Sequence, residues 1–251
     1  MSFLELKDVS YGYDSNEQVV EGMNWKLEKG QFYSLLGKSG CGKTTLLKLA
    51  SGLLQPKQGS VFLDQKKILK PSPKIGYVFQ SPTLLEWKTV MDNILLPLSL
   101  RRKIRKEDRE YAEELLHLMG GLSHFADKYP LDLSGGQQSR VAIARALIHH
   151  PSMLFLDEPF AALDAITKEE LQDDLLKLCQ KENKTVLFIT HDIHEAVYLS
   201  DYVTVMDKGN ILAEFEINLE KPRKNEVRYD SRFIEYTLQV RKAISGRASN
   251  E

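Results

Sequence analysis

The stretch Gly37-Lys38-Ser39-Gly40-Cys41-Gly42-Lys43-Thr44 restricts this chain more than any other feature in it. Its spacing, Gly-x-x-x-x-Gly-Lys-Thr, is that of a phosphate-binding loop. It lies where such a loop must lie, after the apolar run at residues 32–36 and before a helical pattern that opens at Lys43. Glycines let backbone N–H groups turn inward around an anion, and the helix that follows aims its positive end at the same point. Lys43 adds a point charge for β- and γ-phosphates, and the Thr44 hydroxyl is of the right type to hold Mg²⁺.

A strand–loop–helix unit needs a sheet with crossover helices around it, and the rest of the chain reads that way. Strands are predicted at residues 4–9, 19–27, 31–36, 61–63, 75–79, 153–156, 185–190, 203–206 and 211–215, and helices at 43–51, 168–180 and 194–199. The first three strands are separated by turns such as Glu28-Lys29-Gly30, which predicts an antiparallel portion. From Pro82 to Leu133 the pattern is almost wholly helical, at 90–100, 106–119 and 123–127, and the helix after Leu133 is predicted at 137–149. The fold class is therefore α/β: a P-loop NTPase core with a mainly parallel sheet, an N-terminal antiparallel β portion, and a helical lobe inserted at about 82–150. One nucleotide-binding domain is predicted over 3–217, followed by a tail at 218–251 with one helix at 231–244.

The second carboxylate a phosphate–Mg²⁺ site needs should end an apolar strand, and Met153-Leu154-Phe155-Leu156-Asp157 supplies it. Glu158, next to it, is placed to accept a proton from the water that attacks a γ-phosphate, or to orient that water. Pro159 stops regular structure directly after the pair. No Asn-Lys-x-Asp sequence for reading guanine is present, since Asn183-Lys184 is followed by Thr185-Val186.

Leu133-Ser134-Gly135-Gly136-Gln137 matches the signature of the ABC ATPases, and with the motifs above the chain resembles that family over about residues 3 to 217. The resemblance implies ATP as the nucleotide, cradled by Gly37, Lys38, Ser39, Gly40, Cys41, Gly42, Lys43, Thr44 and Thr45, with Mg²⁺ on Thr44, Gln80 and Asp157. It implies catalytic roles for Glu158, Lys43, Gln80 and the switch histidine His191, and an aromatic stacked on adenine, Tyr13, with Tyr11 in competition. It further implies a homodimer in which each ATP is sandwiched between one subunit's loop and Ser134, Gly135, Gly136, Gln137 and the D-loop Asp164 of the other. Ser134 and the glycines are predicted to present a hydroxyl and uncovered N–H groups to that anion.

Transporter and soluble members of the family share all these motifs. A long coiled coil is missing between Lys43 and Leu133, which leaves the single-cassette ATPase of iron–sulfur cluster assembly as the rival reading. Residues 81–94, with Phe160-Ala161-Ala162-Leu163-Asp164-Ala165, resemble importers of nitrate, sulfonates and taurine, and importers of thiamine-precursor pyrimidines share much of this pattern. Glu86 departs from the proline usual in that branch. Such a subunit works with transmembrane permease subunits and, indirectly, a solute-binding protein. Leu84 and Trp87 are expected to border the groove that receives the permease. With 34 basic against 35 acidic side chains, no global field points to nucleic acid. Two cysteines, no signal-like N-terminus and no apolar stretch of spanning length predict a cytoplasmic protein, peripheral on the inner face of the membrane.

Overall fold

The computed structural model describes residues 2–13 and 18–246, which divide into two compact units. The first comprises the described parts of Met1–Ser72 and Thr185–Glu251, the second Pro73–Lys184.

In the first unit, β1 (Ser2–Tyr11) pairs antiparallel with β2 (Val20–Glu28) and with β4 (Gln58–Leu63). β4 turns back into the short β5 (Lys66–Lys67) through Asp64 and Gln65, both at positive φ as a tight hairpin turn requires. β5 escapes sequence reading because two lysines carry no strand signal. β4 starts three residues before its predicted position because its N-terminal residues, Gln58 and Ser60, pair with β1.

β3 (Phe32–Gly37) runs parallel to β8 (Thr185–Ile189) on one side and β9 (Tyr202–Asp207) on the other, and β10 (Asn210–Glu216) closes that edge antiparallel to β9. Residues 32–36 and all of β8 are buried, the mark of strands covered on both faces. α1 (Lys43–Ala50), α6 (Ile193–Leu199) and α7 (Ser231–Ser245) complete the unit. The tail is tied down before α7: buried Arg223 donates to the carbonyls of Tyr198 (2.8 Å) and Ile217 (3.2 Å), and the Arg228 guanidinium lies 3.6 Å from the Tyr198 ring centre.

In the second unit, β6 (Ile75–Val78) runs parallel to β7 (Met153–Asp157). α2 (Val90–Ser99), α3 (Lys106–Leu118), α4 (Gly135–Leu147) and α5 (Ala165–Lys181) surround the pair. α4 buries Val141, Ala142, Ile143, Ala144 and Leu147, and each large apolar side chain so buried contributes roughly 1.5–3 kcal/mol relative to exposure. Both α4 and α5 begin earlier than predicted. Ser134 and Asp164 act as N-caps and add Gly135-Gly136 and Ala165-Ile166-Thr167 to their helices.

Candidate active site

The phosphate-binding loop is held from within. Lys43 is buried and its ammonium donates to the carbonyls of Gly37 (2.9 Å) and Lys38 (3.0 Å), so the lysine curls back over the loop it follows. The Gly209 N–H donates to the Cys41 carbonyl at 3.1 Å and braces the loop from the β9–β10 turn. Gly42 sits at φ +104°, and a side chain there would press to 2.8 Å from the Val19 carbonyl. Gly42 caps α1 without a side-chain hydrogen bond, and the first turn of α1 carries no acid. That helix end thus carries its positive dipole with no capping side chain and no acid beside it. Lys38, Ser39 and Thr44 are exposed. The buried Cys41 thiol fills space beneath the loop, with burial pushing its pKa up and the Lys43 charge opposing the shift.

Tyr13 stands at the same end, more than half exposed, with its hydroxyl 3.2 Å from Thr45 Oγ1. Tyr11 packs edge-on against it with ring centres 5.3 Å apart. Only Tyr13 is both exposed and tied to α1, which favours it over Tyr11 as the aromatic for a base.

His191 leaves the sheet at the same edge as the loop, because β8 is parallel to β3 with Ile189 opposite Leu35. It is exposed, and its neighbours are fixed. The Thr190 hydroxyl donates to the buried Glu195 carboxylate at 2.6 Å, the Asp192 N–H donates to Thr190 Oγ1 at 3.0 Å, and Asp192 caps α6. Sequence reading did not single out Thr190 or Glu195. The five-residue spacing across the strand–helix turn was the only available signal.

In the second unit, Gln80 and Asp157 leave β6 and β7 at one edge, since Val78 lies opposite Leu156. Asp157 is buried and accepts from the Tyr77 hydroxyl at 3.4 Å; burial first, and then the Asp157 charge, push the Tyr77 hydroxyl far above its ordinary pKa. Tyr77 is thus a neutral donor to Asp157, a partner that spacing along the chain does not reveal. Glu158 follows with φ +47°, a left-handed conformation uncommon for a residue with a side chain. The turn behind it is closed by Ala161 N–H to the Glu158 carbonyl (3.2 Å) and Leu163 N–H to the Phe160 carbonyl (3.1 Å). Gln80 is exposed.

At the signature, the expectation of uncovered N–H groups needs correction. Ser134 Oγ accepts from the Gln137 N–H at 3.3 Å while Gln137 Oε1 accepts from the Ser134 N–H at 2.8 Å, a reciprocal capping box. The Ser134 hydroxyl keeps its proton for donation, but one helix N–H is already covered. Gly135 is exposed and Gly136 buried. Asp164, exposed, caps α5 by accepting from the Thr167 N–H at 3.1 Å.

The segment after Gln80 is pinned at both ends. Arg145 of α4 donates to the carbonyls of Pro82 (2.6 Å) and Thr83 (2.8 Å). Fully buried Asn93 of α2 accepts from Leu85 N–H (2.7 Å) and donates to the carbonyls of Leu85, Lys88 and Thr89. Between these anchors Trp87 is 74% exposed and Leu84 half-buried.

A family model described as ABC transporter matches residues 20–161, more than half of the chain. Over 208 residues the chain is 46% identical to the aliphatic sulfonates import ATP-binding protein of Bacillus thuringiensis subsp. konkukian, covering 82% of this chain and 81% of that one. It is 46% identical over 212 residues to the nitrate import ATP-binding protein of Synechococcus elongatus, covering 82% of this chain and 77% of the relative. Among solved structures, a dimeric ATP-binding cassette in a post-hydrolysis state with ADP and Pi superposes with a TM-score of 0.77 at 34% identity, covering 86% of this chain and all of that one.

Proposed function

The chain belongs to the ABC transporter family and is an ATP-binding, ATP-hydrolysing subunit; from that premise we propose that it powers import of a small anion of the sulfonate or nitrate class. The observation that carries this reading is the likeness to the sulfonate and nitrate import subunits, which extends over about four-fifths of each. The partners in this reading are a second copy of the chain, transmembrane permease subunits and, through them, a solute-binding protein. No helix among the described residues is long and apolar enough to cross a membrane. Other chains would therefore form the pore, with this subunit peripheral on its cytoplasmic side.

Lys43 and the backbone of residues 37–45 bind the phosphates of ATP, Tyr13 stacks on adenine, and His191 donates to the γ-phosphate. Glu158 accepts the proton of the attacking water or orients it. Ser134 to Gln137 and Asp164 act on the partner's nucleotide. Thr44, Gln80 and Asp157 offer hydroxyl, amide and carboxylate oxygens, the hard donors Mg²⁺ prefers, and the Tyr77 hydrogen bond orients the Asp157 carboxylate. When bound there, Mg²⁺ would neutralise charge developing on the phosphates.

The test is uptake of labelled sulfonate and nitrate in cells lacking the chain. Loss of uptake of one of them, restored by the native chain and not by Glu158→Gln, is expected. Undisturbed uptake of both, with loss of iron–sulfur enzyme activity instead, would replace this reading by the soluble alternative.

A further inference from the structure

Gly136 of the signature faces α5 within its own chain. A Cβ built on it would collide with Thr167 Cγ2 and come to 3.9 Å from Leu163 Cδ2, whereas a Cβ on Gly135 would meet nothing within 4 Å. Leu163 and Thr167 flank Asp164, the residue that caps α5. Thr167 therefore touches two functional segments with two different atoms. Its methyl lies against the second signature glycine, and its N–H donates to the Asp164 carboxylate. Deeper along the same pair of helices, buried Arg140 of α4 pairs with Asp174 of α5 and lies 3.5 Å from Glu170. Gly120, at φ +79°, lies against that guanidinium, where a side chain would overlap it.

We infer that Thr167 is a positioning residue that holds the signature segment and the D-loop as one piece, its Cγ2 setting the approach of Gly136 while its N–H is held by the Asp164 carboxylate. Both segments are those the proposed function assigns to the partner's nucleotide, so the inference rests on that reading. It gives Gly136 a requirement that arises within one chain, since the close approach to α5 leaves no room for a side chain whatever the nucleotide does. A Gly136→Asp change would therefore displace the Thr167 side chain as well as set a carboxylate against a phosphate, and charge repulsion is better read at Gly135.

The experiment uses the full chain carrying Glu158→Gln, with ATP-driven dimerisation followed by size-exclusion chromatography and nucleotide affinity of the monomer by a fluorescent ATP analogue. Overpacking at Gly136→Ala is expected to raise the ATP concentration for half-maximal dimerisation by about tenfold while leaving monomer affinity unchanged. Thr167→Ser removes Cγ2 and keeps the hydroxyl, so adding it to Gly136→Ala is expected to return dimerisation to within about threefold of the parent. The same defect in Gly135→Ala, if present, is not expected to respond to Thr167→Ser. A Gly136→Ala/Thr167→Ser protein as impaired as Gly136→Ala alone would overturn the proposal. If Gly136→Ala does not fold, recovery of soluble protein in the double variant reads the same contact, and failure to recover it counts against it. A parent that does not dimerise with ATP would sink the proposed function, yet melting temperatures of the apo parent, Gly136→Ala, Thr167→Ser and Gly136→Ala/Thr167→Ser proteins would still report whether residues 136 and 167 are coupled.

Discussion

Glu158 occupies a backbone conformation that costs a residue with a Cβ about 1–3 kcal/mol, and it does so directly after the buried Asp157. Such strain persists where function needs the side chain, and glycine is the residue that would remove it. Glu158→Gly is therefore expected to abolish ATP hydrolysis while melting about 2–4 °C above Glu158→Gln, which keeps the strained Cβ. A glycine variant that melts below the glutamine variant would show that no strain is stored there. Lys43→Ala should behave differently from either, losing nucleotide binding as well as hydrolysis, because the proposed function sets its ammonium on the phosphates, and the same ammonium closes the loop onto Gly37 and Lys38. Equal ATP affinity in Lys43→Ala and native protein would contradict that role. Cys179, fully buried, has its thiol pushed up to about 12 by burial first and then by the Glu182 charge. A raised thiol pKa favours the neutral form in the fold. Its contribution to stability is complete below the ordinary thiol value of 9.0 and is lost as pH rises towards 12. At about pH 8 iodoacetamide should label the unfolded chain within the usual time and leave Cys179 of the native protein intact. Rapid labelling of the native protein would contradict its burial.

At the scale of elements, α4 joins more of the machinery than its signature suggests. Its first turn carries Ser134 to Gln137, Arg140 grips α5, and Arg145 holds the carbonyls of Pro82 and Thr83. Asn93 completes that hold from α2, and removing its buried side chain leaves several backbone groups unsatisfied. Asn93→Ala is expected to lower the melting temperature by roughly 5–10 °C. Trp87→Ala, at an exposed position between the anchors, should leave melting and basal ATPase unchanged and weaken co-purification with the permease. Loss of basal ATPase in Trp87→Ala would place the residue in the fold or the catalytic centre instead. The motifs at residues 37–44, 134–137 and 157–158 were legible in the sequence because each packs its chemistry into consecutive residues after a strand or at a helix start. The starts of α4 and α5 were misread by two and three residues, since a cap is a hydrogen bond rather than a composition. Tyr77, Glu195, Arg140, Arg145, Asn93 and Thr167 were not legible at all. Each acts on a functional residue or segment through a side chain whose partner is set by packing, and one sequence carries no spacing rule for such neighbours.

For the molecule as a whole, the account assigns each chain both halves of a function it cannot complete alone: a loop that binds ATP and a signature segment that serves a partner's ATP. The fold class followed from the alternation of apolar runs around residues 37–44, and likeness to a dimeric cassette over 86% of the chain agrees with it. In the proposed function the anion is selected by other chains, and the reading of solute class rests on likeness to import subunits. The claim at the centre is that ATP closes two copies and that Glu158 ends the closed state by hydrolysis. Glu158→Gln protein should elute as a dimer in size-exclusion chromatography with Mg²⁺ and ATP, and as a monomer with Mg²⁺ and ADP, which lacks the γ-phosphate for the partner's signature segment to hold. Monomer in both nucleotides, or hydrolysis by Glu158→Gln at the native rate, would contradict it.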